Sequence, residues 1–479
     1  MIYIILLVYL GFTFFGSLLG AKIKAATPES YFLANRNLKT IALFFTIIAT
    51  NFSAFYFLGF AGEGYRIGYA HYVIMALGTA LAGVTIILIG TRVWQLGKDH
   101  GYITPSELVY GQTGSRSLAM LFSGVMIVFT LPYLALQIVG GGYILEKMTD
   151  GDISYSLAVI LLTVFTIIYV IIGGMTSVAK TDLKQGLIVI IFMVLGVVLI
   201  GHDLGGITAA NITAAELVPE LFSHNGANDF YTPQKWFSWI VFWMMAIPMF
   251  PQLFMRFYIA QDVKNLRQSA ILYAIAPMFI SILPVMIGIW GHISFPELTG
   301  SEIDQIMPLM LKKHTTEFFA TIIMTGAIAA FMSTLDSQLL ALSTMFTRDF
   351  YIPLRKKVIN FKKEVLIGRV LVGVLAIIGM LIAFNPFDTI FAMGKMSFSG
   401  VAILFPIGLA VTRFKLTKPI FGIVAVVTAL ILLFAFHYGW ISKQWTFGFE
   451  PFIILIGISF IITFMGVKKK KVQSTPPQH

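Results

Sequence analysis

The sequence predicts an all-α polytopic membrane protein, and three features of the chain support that fold class. Hydrophobic residues make up 58% of the 479 positions and charged residues only 11%, whereas soluble domains carry about 25% charged residues. Apolar runs of roughly 20 residues, long enough to cross a bilayer, recur about thirteen times. Two of these runs contain residues that interrupt a helix near its centre. We therefore expect one transmembrane domain over residues 1–479, surrounded by membrane lipid.

Basic residues are concentrated in alternate loops of the predicted topology. These loops and the C-terminal tail hold 26 of the 33 Lys and Arg residues, Arg256 among them, and by the positive-inside rule that side is cytoplasmic. We expect a multi-pass protein of the plasma membrane (the inner membrane in a bacterium), with the N-terminus outside and the C-terminus cytoplasmic. The basic tail, residues 468–479, then lies at the anionic leaflet. Because the net charge of +11 is explained in this way, neither a nucleic-acid partner nor an obligate protein partner is predicted.

Two spans are predicted to be broken helices. In the second span, Thr50, Asn51 and Ser53 compete for backbone hydrogen bonds, with a hydrated helix contact as the alternative. In the seventh span, Pro248 and Pro251 remove two backbone donors. Interrupted helices in corresponding halves are typical of inverted-repeat transporters, which bind substrate at the breaks. We expect repeats over residues 41–202 and 235–411, an extra N-terminal helix at 1–22 and C-terminal helices at 417–467.

The ninth predicted span carries hydroxyls and a carboxylate in a segment apolar enough to cross a membrane. Residues three and four apart share a helix face, so Ala330, Ser333, Thr334 and Ser337 form one stripe with Asp336 at its edge. Oxygen ligands suit a hard cation such as sodium, and a carboxylate in mid-membrane is costly enough to suggest a function. The alternative is that these small polar residues mediate helix contacts.

A short turn is predicted from Gly173 to Gln185, ahead of a new apolar run. Asp182 and Gln185 have the spacing of a capping box at the start of a helix. The alternative is that Asp182 is a second carboxylate near the cytoplasmic end of an ion path. The position of Asp182 in the sequence does not separate the two.

Lys395 is predicted close to the middle of a span over residues 387–410. A lysine so placed is costly unless it finds a partner or water, so we expect its side chain to face the protein interior. One interpretation is an ion pair with a buried carboxylate such as Asp336, or a place in a water-filled vestibule. The other is that its ammonium binds the carboxylate of an anionic solute beside Ser397 and Ser399.

Several of these segments resemble the sodium:solute symporter family, which includes proline, pantothenate, sialic acid and glucose cotransporters. The resemblance covers essentially the whole chain and rests on three groups of residues: Tyr31-Phe32-Leu33-Ala34 with Arg36, Gly173-Gly174 with Thr181-Asp182 and Gln185, and Ala329-Ala330 with Met332-Ser333-Thr334-Leu335 and Gln338-Leu339-Leu340. It implies a LeuT-like core of two inverted five-helix repeats. One extra helix precedes this core and two follow it.

The resemblance also implies residues for two cation sites. The main sodium site matches three carbonyls and two hydroxyls: those of Ala49, Phe52, Ala330, Ser333 and Thr334. Some members of the family have a second site, which matches Asp182, Asp336 and Ser337 here. Because Asp336 stands where a hydroxyl is expected, this second site either binds another sodium ion or takes a proton.

The solute is expected between the broken helices. The resemblance implies ten residues there, to which Lys395 is added for its charge: Ser53, Phe55, Tyr56, Tyr133, Gln137, Trp243, Ile247, Pro248, Ser397 and Ser399. Lys395 favours a carboxylate, either a monocarboxylate or a pantothenate-like solute. A neutral or zwitterionic solute, such as a sugar or proline, is the alternative.

The sequence therefore predicts a sodium-coupled secondary active symporter that imports a small organic solute by alternating access, with Na⁺ as the coupling ion. An enzyme is not predicted, because no two of the eight histidines are four residues apart and no HExxH motif occurs. A membrane sensor or a channel is the remaining alternative. A channel needs a continuous pore, which two broken helices do not predict.

Overall fold

The computed structural model describes residues 2–21, 33–355 and 360–468, apart from the side chains of residues 16–21, 34 and 174–183. The described chain is predominantly helical. The helices of its first part are α1 (Ile2–Ala21), α2 (Thr40–Asn51), α3 (Phe60–Ile67), α4 (Tyr69–Thr85), α5 (Thr91–His100), α6 (Pro105–Thr113), α7 (Arg116–Met148), α8 (Tyr155–Asp203) and α9 (Ile207–Leu217).

The second part of the chain continues in the same way. Its helices are α10 (Pro233–Ala246), α11 (Pro251–Tyr258), α12 (Val263–Ile280), α13 (Ile282–Ser294), α14 (Ile306–His314), α15 (Glu317–Met345), α16 (Ile352–Arg355), α17 (Phe361–Phe384), α18 (Ile390–Ala402), α19 (Phe405–Arg413), α20 (Pro419–His437) and α21 (Pro451–Met465). Two short strands, β1 (Lys415–Leu416) and β2 (Val467–Lys468), pair antiparallel. They tie the start of α20 to the end of α21.

Short irregular helices join or extend these elements. Single π-helical turns cover Phe55–Gly59, Ile86–Gly90 and Phe346–Tyr351. Short 3₁₀ helices cover Ala34–Arg36, Pro219–Phe222, Ala227–Asp229, Ile247–Met249, Gly300–Gln305 and Lys443–Thr446. The π-helical turn at Phe55–Gly59 leads directly into α3, and the 3₁₀ helix at Ile247–Met249 directly follows α10.

Many of these helices can cross a membrane. Within the described ranges, nine helices are long and apolar enough, and the number rises to eleven when each of two sharply bent helix pairs counts as one span. Two further apolar helical segments, Ile2–Phe15 and Pro451–Met465, are shorter. The predicted all-helical polytopic fold is confirmed at this level. The count of about thirteen spans and the pairing of residues 41–202 with 235–411 as inverted repeats stay predictions.

The first bent pair is the predicted break in the second span. α2 ends at Asn51, and the helical segment from Phe55 through α3 departs at 63°. The backbone N–H of Ala54, inside the break, donates to Oε1 of Gln137 on α7 at 2.9 Å. α7 approaches closely because Gly140 has no side chain, and a Cβ at that position would lie 2.6 Å from the Cβ of Ala54. A neighbouring helix thus satisfies a backbone donor that the break exposes, which the membrane interior demands.

The second bent pair is the predicted break at the two prolines. α10 and the turn that contains Pro248 meet α11 at 58°. Phe250 between them is extended, with φ −66° and ψ 133°, and Pro251 occupies the first position of α11, where its missing N–H costs nothing. Both predicted breaks are therefore confirmed.

α15 borders both broken helices. Every residue from Ile323 to Met345 is buried, and the helix packs against α2, α7, α8 and α11. The hydroxyl stripe predicted on this helix therefore faces protein rather than lipid.

The predicted turn from Gly173 to Gln185 falls mostly on residues 174–183, whose side chains lie outside the described residues, and it stays a prediction. Two separate spans, Tyr155–Gly173 and Lys184–Asp203, flank it. One expectation about the core is wrong. Arg256, counted with the basic loop residues, lies on α11 and is fully buried. Its guanidinium is held by hydroxyls from distant parts of the chain. A count of charged residues along the sequence cannot reveal these hydroxyls.

Candidate cation and solute site

The main cation candidate lies where α15 meets the end of α2. Ser333 Oγ is 3.4 Å and Thr334 Oγ1 is 3.3 Å from the carbonyl oxygen of Ala49, and Thr334 Oγ1 is 3.3 Å from the carbonyl oxygen of Ala330. Ala49 lies in the last turn of α2, where helix carbonyls have no intrahelical partner. Hydroxyl and carbonyl oxygens that converge in this way are the ligands that a hard cation prefers. We name these four residues the main oxygen cluster.

Four of the five residues predicted for the main sodium site are thus together. The fifth, Phe52, follows the end of α2: its N–H donates to the carbonyl of Ile48 at 2.7 Å, and its ring stacks on Tyr56 with centroids 4.2 Å apart. Gly186 of α8 closes another side of the cluster, since a Cβ there would lie 3.3 Å from the Cβ of Ala49. Sodium binding by these residues stays a prediction.

One turn further along α15, Asp336 and Ser337 have different partners. Asp336 Oδ2 accepts a hydrogen bond from Tyr169 Oη of α8 at 3.1 Å. Ser337 Oγ accepts one from Arg256 Nη2 at 2.6 Å, and Thr50 Oγ1 accepts from the same nitrogen at 3.2 Å. All five side chains are buried. We name Thr50, Asp336 and Ser337 the second oxygen cluster, and a guanidinium lies against it.

The third residue predicted for the second site is Asp182, whose side chain lies outside the described residues. Its predicted capping partner, Gln185, is buried and donates from Nε2 to Tyr9 Oη of α1 at 3.2 Å. A role for Asp182 in cation binding stays a prediction.

A cavity of about 10 Å³ lies beside the two breaks. Its walls are mostly aromatic, and nine residues form them: Asn51, Phe55, Tyr56, Phe60, Met75, Thr79, Trp243, Ile247 and Phe398. That volume has room for about one water molecule, so a solute could bind here only if these aromatic walls moved apart. Tyr56 and Trp243, predicted to bind the solute, line the cavity.

Sequence reasoning missed four wall residues, Phe60, Met75, Thr79 and Phe398. They come from α3, α4 and α18, and nothing in their local sequence distinguishes them from ordinary membrane-helix residues. Phe398 lies between the predicted Ser397 and Ser399, and its ring centroid is 4.7 Å from that of Trp243. The prediction therefore found the right segment of α18 but not the side chain that lines the cavity.

The predicted Ser53 and Gln137 hold the first break in place. Ser53 Oγ lies 2.9 Å from Tyr133 Oη, and Gln137 Nε2 donates to the carbonyl of Tyr133 at 3.0 Å. Tyr56, beyond the break, is hydrogen-bonded through its hydroxyl to Ser281, which lies between α12 and α13. These contacts fix the backbone around the cavity and the main oxygen cluster.

The remaining predicted solute-binding residues, in the second half of the chain, do not all lie at the cavity. Pro248 is buried in the second break. Ser397 and Ser399 donate their hydroxyl hydrogens to carbonyls one turn earlier in α18, at 3.2 and 2.8 Å. Neither serine is among the wall residues of the cavity. Their hydroxyls are thus engaged with the helix that carries Phe398.

Lys395 lies near the start of its helix. The prediction that it stands close to the middle of a span is wrong, because Thr389 caps α18 and the span runs over Ile390–Arg413. Its Nζ lies 5.7 Å from the ring centroid of Trp239, a side chain that is 1% exposed, so the lysine faces inward as expected. It also interacts electrostatically with Glu63, which forms an ion pair with Arg66 at 2.5 Å.

Two indole N–H groups lie between Lys395 and the cavity. The rings of Trp239 and Trp243 stack with centroids 5.9 Å apart, and both side chains are 1% exposed. Among the residues that the structure describes, no acceptor lies within hydrogen-bonding reach of either Nε1. A buried donor without a partner costs about 1–3 kcal/mol, so a ligand that brings an acceptor oxygen would gain by binding here.

The fold and this buried site at two broken helices define a secondary membrane transporter. The chain belongs to the sodium:solute symporter family, because the model of that family matches residues 31–418. The family couples solute transport to sodium. The protein is therefore a multi-pass membrane transporter with Na⁺ as coupling ion, and not an enzyme.

Individual relatives support the same family. A sodium/pantothenate symporter of Haemophilus influenzae is 26% identical over 410 residues, which cover 84% of this chain and 82% of the relative. A sodium/proline symporter of Staphylococcus aureus is 27% identical over 488 aligned positions, which cover 98% and 92%. The solved structure of a Na⁺-coupled sialic acid symporter matches with a TM-score of 0.80 at 18% identity, over 97% of this chain and 96% of that one. At that identity the structural match shows the fold alone.

Proposed function

We propose that this protein imports a small organic carboxylate together with Na⁺ across the plasma membrane by alternating access, with its N-terminus outside and its C-terminus cytoplasmic. The observation that carries the choice of solute is the arrangement of Lys395, Trp239 and Trp243. An ammonium group and two buried N–H donors without a described acceptor stand beside a small aromatic cavity. These are the groups that a carboxylate on an apolar body would require.

The sodium ion is proposed to bind at the main oxygen cluster, through the carbonyls of Ala49 and Ala330 and the hydroxyls of Ser333 and Thr334, with the carbonyl of Phe52 nearby. The breaks make this possible, because a continuous α2 would use the carbonyl of Ala49 for its own hydrogen bonds. The ion would then contact the last turn of α2, and the solute would contact the adjoining break. Movement of that helix would couple them.

The carboxylate is proposed to lie toward Lys395, with the apolar part of the solute against Phe55, Phe398 and Trp243. Charge-assisted hydrogen bonds are roughly twice as strong as neutral ones, so an anion gains more than an alcohol or amide from the same donors. Pantothenate, proline and sialic acid, the solutes named for the relatives, all carry a carboxylate. Pantothenate and monocarboxylates are the candidates in which it is the sole charge.

A zwitterionic solute such as proline is the second candidate, and Glu63 is the observation that favours it. Glu63 is 3% exposed and interacts with both Arg66 and Lys395. If this carboxylate already neutralises Lys395, a solute that brings its own positive charge is favoured.

The test is sodium-driven uptake into proteoliposomes of purified protein. Labelled pantothenate, proline and lactate are offered with an inward gradient of sodium or of potassium, and panthenol, in which an alcohol replaces the carboxylate, serves as the matched competitor. We expect sodium-dependent uptake of a carboxylate that pantothenate or lactate inhibits and panthenol does not. Lys395→Met should weaken that inhibition about tenfold or more, the equivalent of one charge-assisted hydrogen bond, whereas Lys443→Met at the exposed loop should leave it unchanged. Equal inhibition by panthenol and pantothenate would contradict the carboxylate proposal.

A further inference from the structure

We propose that the guanidinium of Arg256 is a resident cation that fills the second oxygen cluster, so that only one sodium ion accompanies each solute molecule. This inference rests on the proposed sodium symport and adds its stoichiometry. The cluster contains two hydroxyls and a carboxylate, from Thr50, Ser337 and Asp336, and oxygen atoms of these kinds suit a small cation.

The position of the guanidinium is the first argument. Its Nη2 lies 2.6 Å from Ser337 Oγ and 3.2 Å from Thr50 Oγ1, and these two oxygens are themselves 3.4 Å apart. One nitrogen thus contacts both hydroxyls, on α15 and on α2, at the place where a bound metal ion would have to contact them. A sodium ion cannot share that position.

Burial and permanent charge are the second argument. Arg256, Thr50 and Ser337 are all 0% exposed and Asp336 is 1% exposed. Arginine cannot be deprotonated under these conditions, so the positive charge at this depth is fixed. A buried charge is tolerated when it is hydrogen-bonded, and the hydroxyls of Ser337 and Thr50 both accept hydrogen bonds from this guanidinium. The arginine thereby supplies the positive charge that a second sodium ion would otherwise bring.

The distance to the main oxygen cluster is the third argument. Thr50 directly follows Ala49, and Ser337 lies four residues, about 6 Å of helix, beyond Ser333. With the guanidinium already fixed at the second oxygen cluster, a further cation added there would meet its full repulsion. A guanidinium attached to α11 stays with the protein throughout the cycle, while the ion at the main oxygen cluster exchanges with solvent. The main oxygen cluster thus holds the transported ion, and the second oxygen cluster holds a cation that belongs to the protein.

The experiment counts sodium ions bound to purified protein, with ²²Na⁺ as the probe, and needs no knowledge of the solute. We expect one ion per wild-type molecule and one per Arg256→Lys molecule, because lysine keeps a cation at the cluster. Arg256→Gln should bind two ions. Arg267→Gln is the matched control, since it removes an exposed arginine of α12 and should leave the count at one.

The outcomes separate this inference from the function on which it depends. A wild-type protein that binds no sodium contradicts the proposed symport. Two ions per wild-type molecule, or a single ion bound to a folded Arg256→Gln protein, overturn the assignment of Arg256 while the symport stands. If Arg256→Gln does not fold, the double variant Arg256→Gln with Asp336→Ser, which replaces the carboxylate with a hydroxyl, carries the same prediction of two ions and the same contrary result of one.

Discussion

The two oxygen clusters lie one turn apart on α15, and they differ in what the neighbouring broken helix supplies. At the main oxygen cluster, α2 presents the carbonyl of Ala49, so hydroxyls and carbonyls face each other without a fixed charge. At the second oxygen cluster, α11 presents the guanidinium of Arg256, which donates to Ser337. Similar hydroxyls on one helix therefore face a backbone carbonyl in one case and a tethered cation in the other. The partner helix, rather than the hydroxyl stripe, decides the difference.

The largest expected effect follows from breaking the main oxygen cluster. Ser333→Ala and Thr334→Ala each remove one hydroxyl ligand, and we expect the sodium concentration for half-maximal uptake to rise about tenfold or more, which corresponds to about 1.4 kcal/mol. Uptake measured against sodium concentration tests this. Ser343→Ala is the control, because that hydroxyl bonds to a carbonyl of its own helix away from both clusters. Unchanged sodium dependence in both variants would remove the main oxygen cluster from the coupling path.

The next effect concerns the break that frees the carbonyl of Ala49. Gln137→Ala leaves the N–H of Ala54 without its acceptor, at a cost of about 1–3 kcal/mol. We expect a lower melting temperature in detergent and weaker sodium binding, since α2 and the break lose their attachment to α7. Gln137→Glu keeps an acceptor oxygen and should retain most of both. If the alanine variant binds sodium like the wild type, the break does not depend on this hydrogen bond.

The breaks were predictable from sequence because their causes are local. Two prolines remove backbone donors wherever the chain places them, and the polar run at Thr50, Asn51 and Ser53 weakens any helix. The hydroxyl stripe was predictable for the same reason, since three- and four-residue spacing fixes one face of a helix.

The sequence predictions that failed concern residues whose positions depend on contacts not visible in the local sequence. Arg256 was assigned to a loop because charge counting does not reveal the hydroxyls of Thr50 and Ser337, which are 206 and 81 residues away in sequence. Phe398 was missed because a phenylalanine in a membrane helix carries no signal of the cavity it lines. Lys395 was placed too deep because the cap at Thr389, and not the edge of the apolar run, starts α18.

A smaller effect is expected from Tyr169→Phe, which sharpens the contrast between the clusters. The variant removes the hydroxyl that donates to Asp336, a hydrogen bond to a charged group worth about 1.5–3 kcal/mol. Because the main oxygen cluster does not use Asp336, we expect a loss of thermal stability with less than a threefold change in sodium affinity. Parallel melting and ²²Na⁺ binding measurements check this. A tenfold loss of sodium affinity would show that Asp336 helps to bind the transported ion.

The smallest effect concerns pH, and it arises away from both clusters. Burial raises the pKa of Asp304, in the 3₁₀ helix before α14, from 3.8 to about 8, with Glu63 and Asp388 adding to the shift and the N–H of Ile390 opposing it. The folded protein thus holds a proton that the unfolded chain releases, so stability should fall as pH rises through this window. Asp304→Asn cannot lose that proton. Its melting temperature should therefore decline less than that of the wild type between pH 6 and 8.5, and parallel declines would rule out Asp304 as the cause.

If one sodium ion moves with one monocarboxylate, no net charge crosses the membrane in a transport cycle. Proteoliposomes with a fixed sodium gradient can be held at 0 mV or at 100 mV, inside negative, with a potassium diffusion potential, and the steady accumulation of the carboxylate compared. One net charge would contribute about 2.3 kcal/mol per 100 mV, or about 50-fold in accumulation. We expect equal accumulation at both potentials. A rise toward 50-fold would contradict it, because either a second sodium ion or a solute without net charge would then be moving.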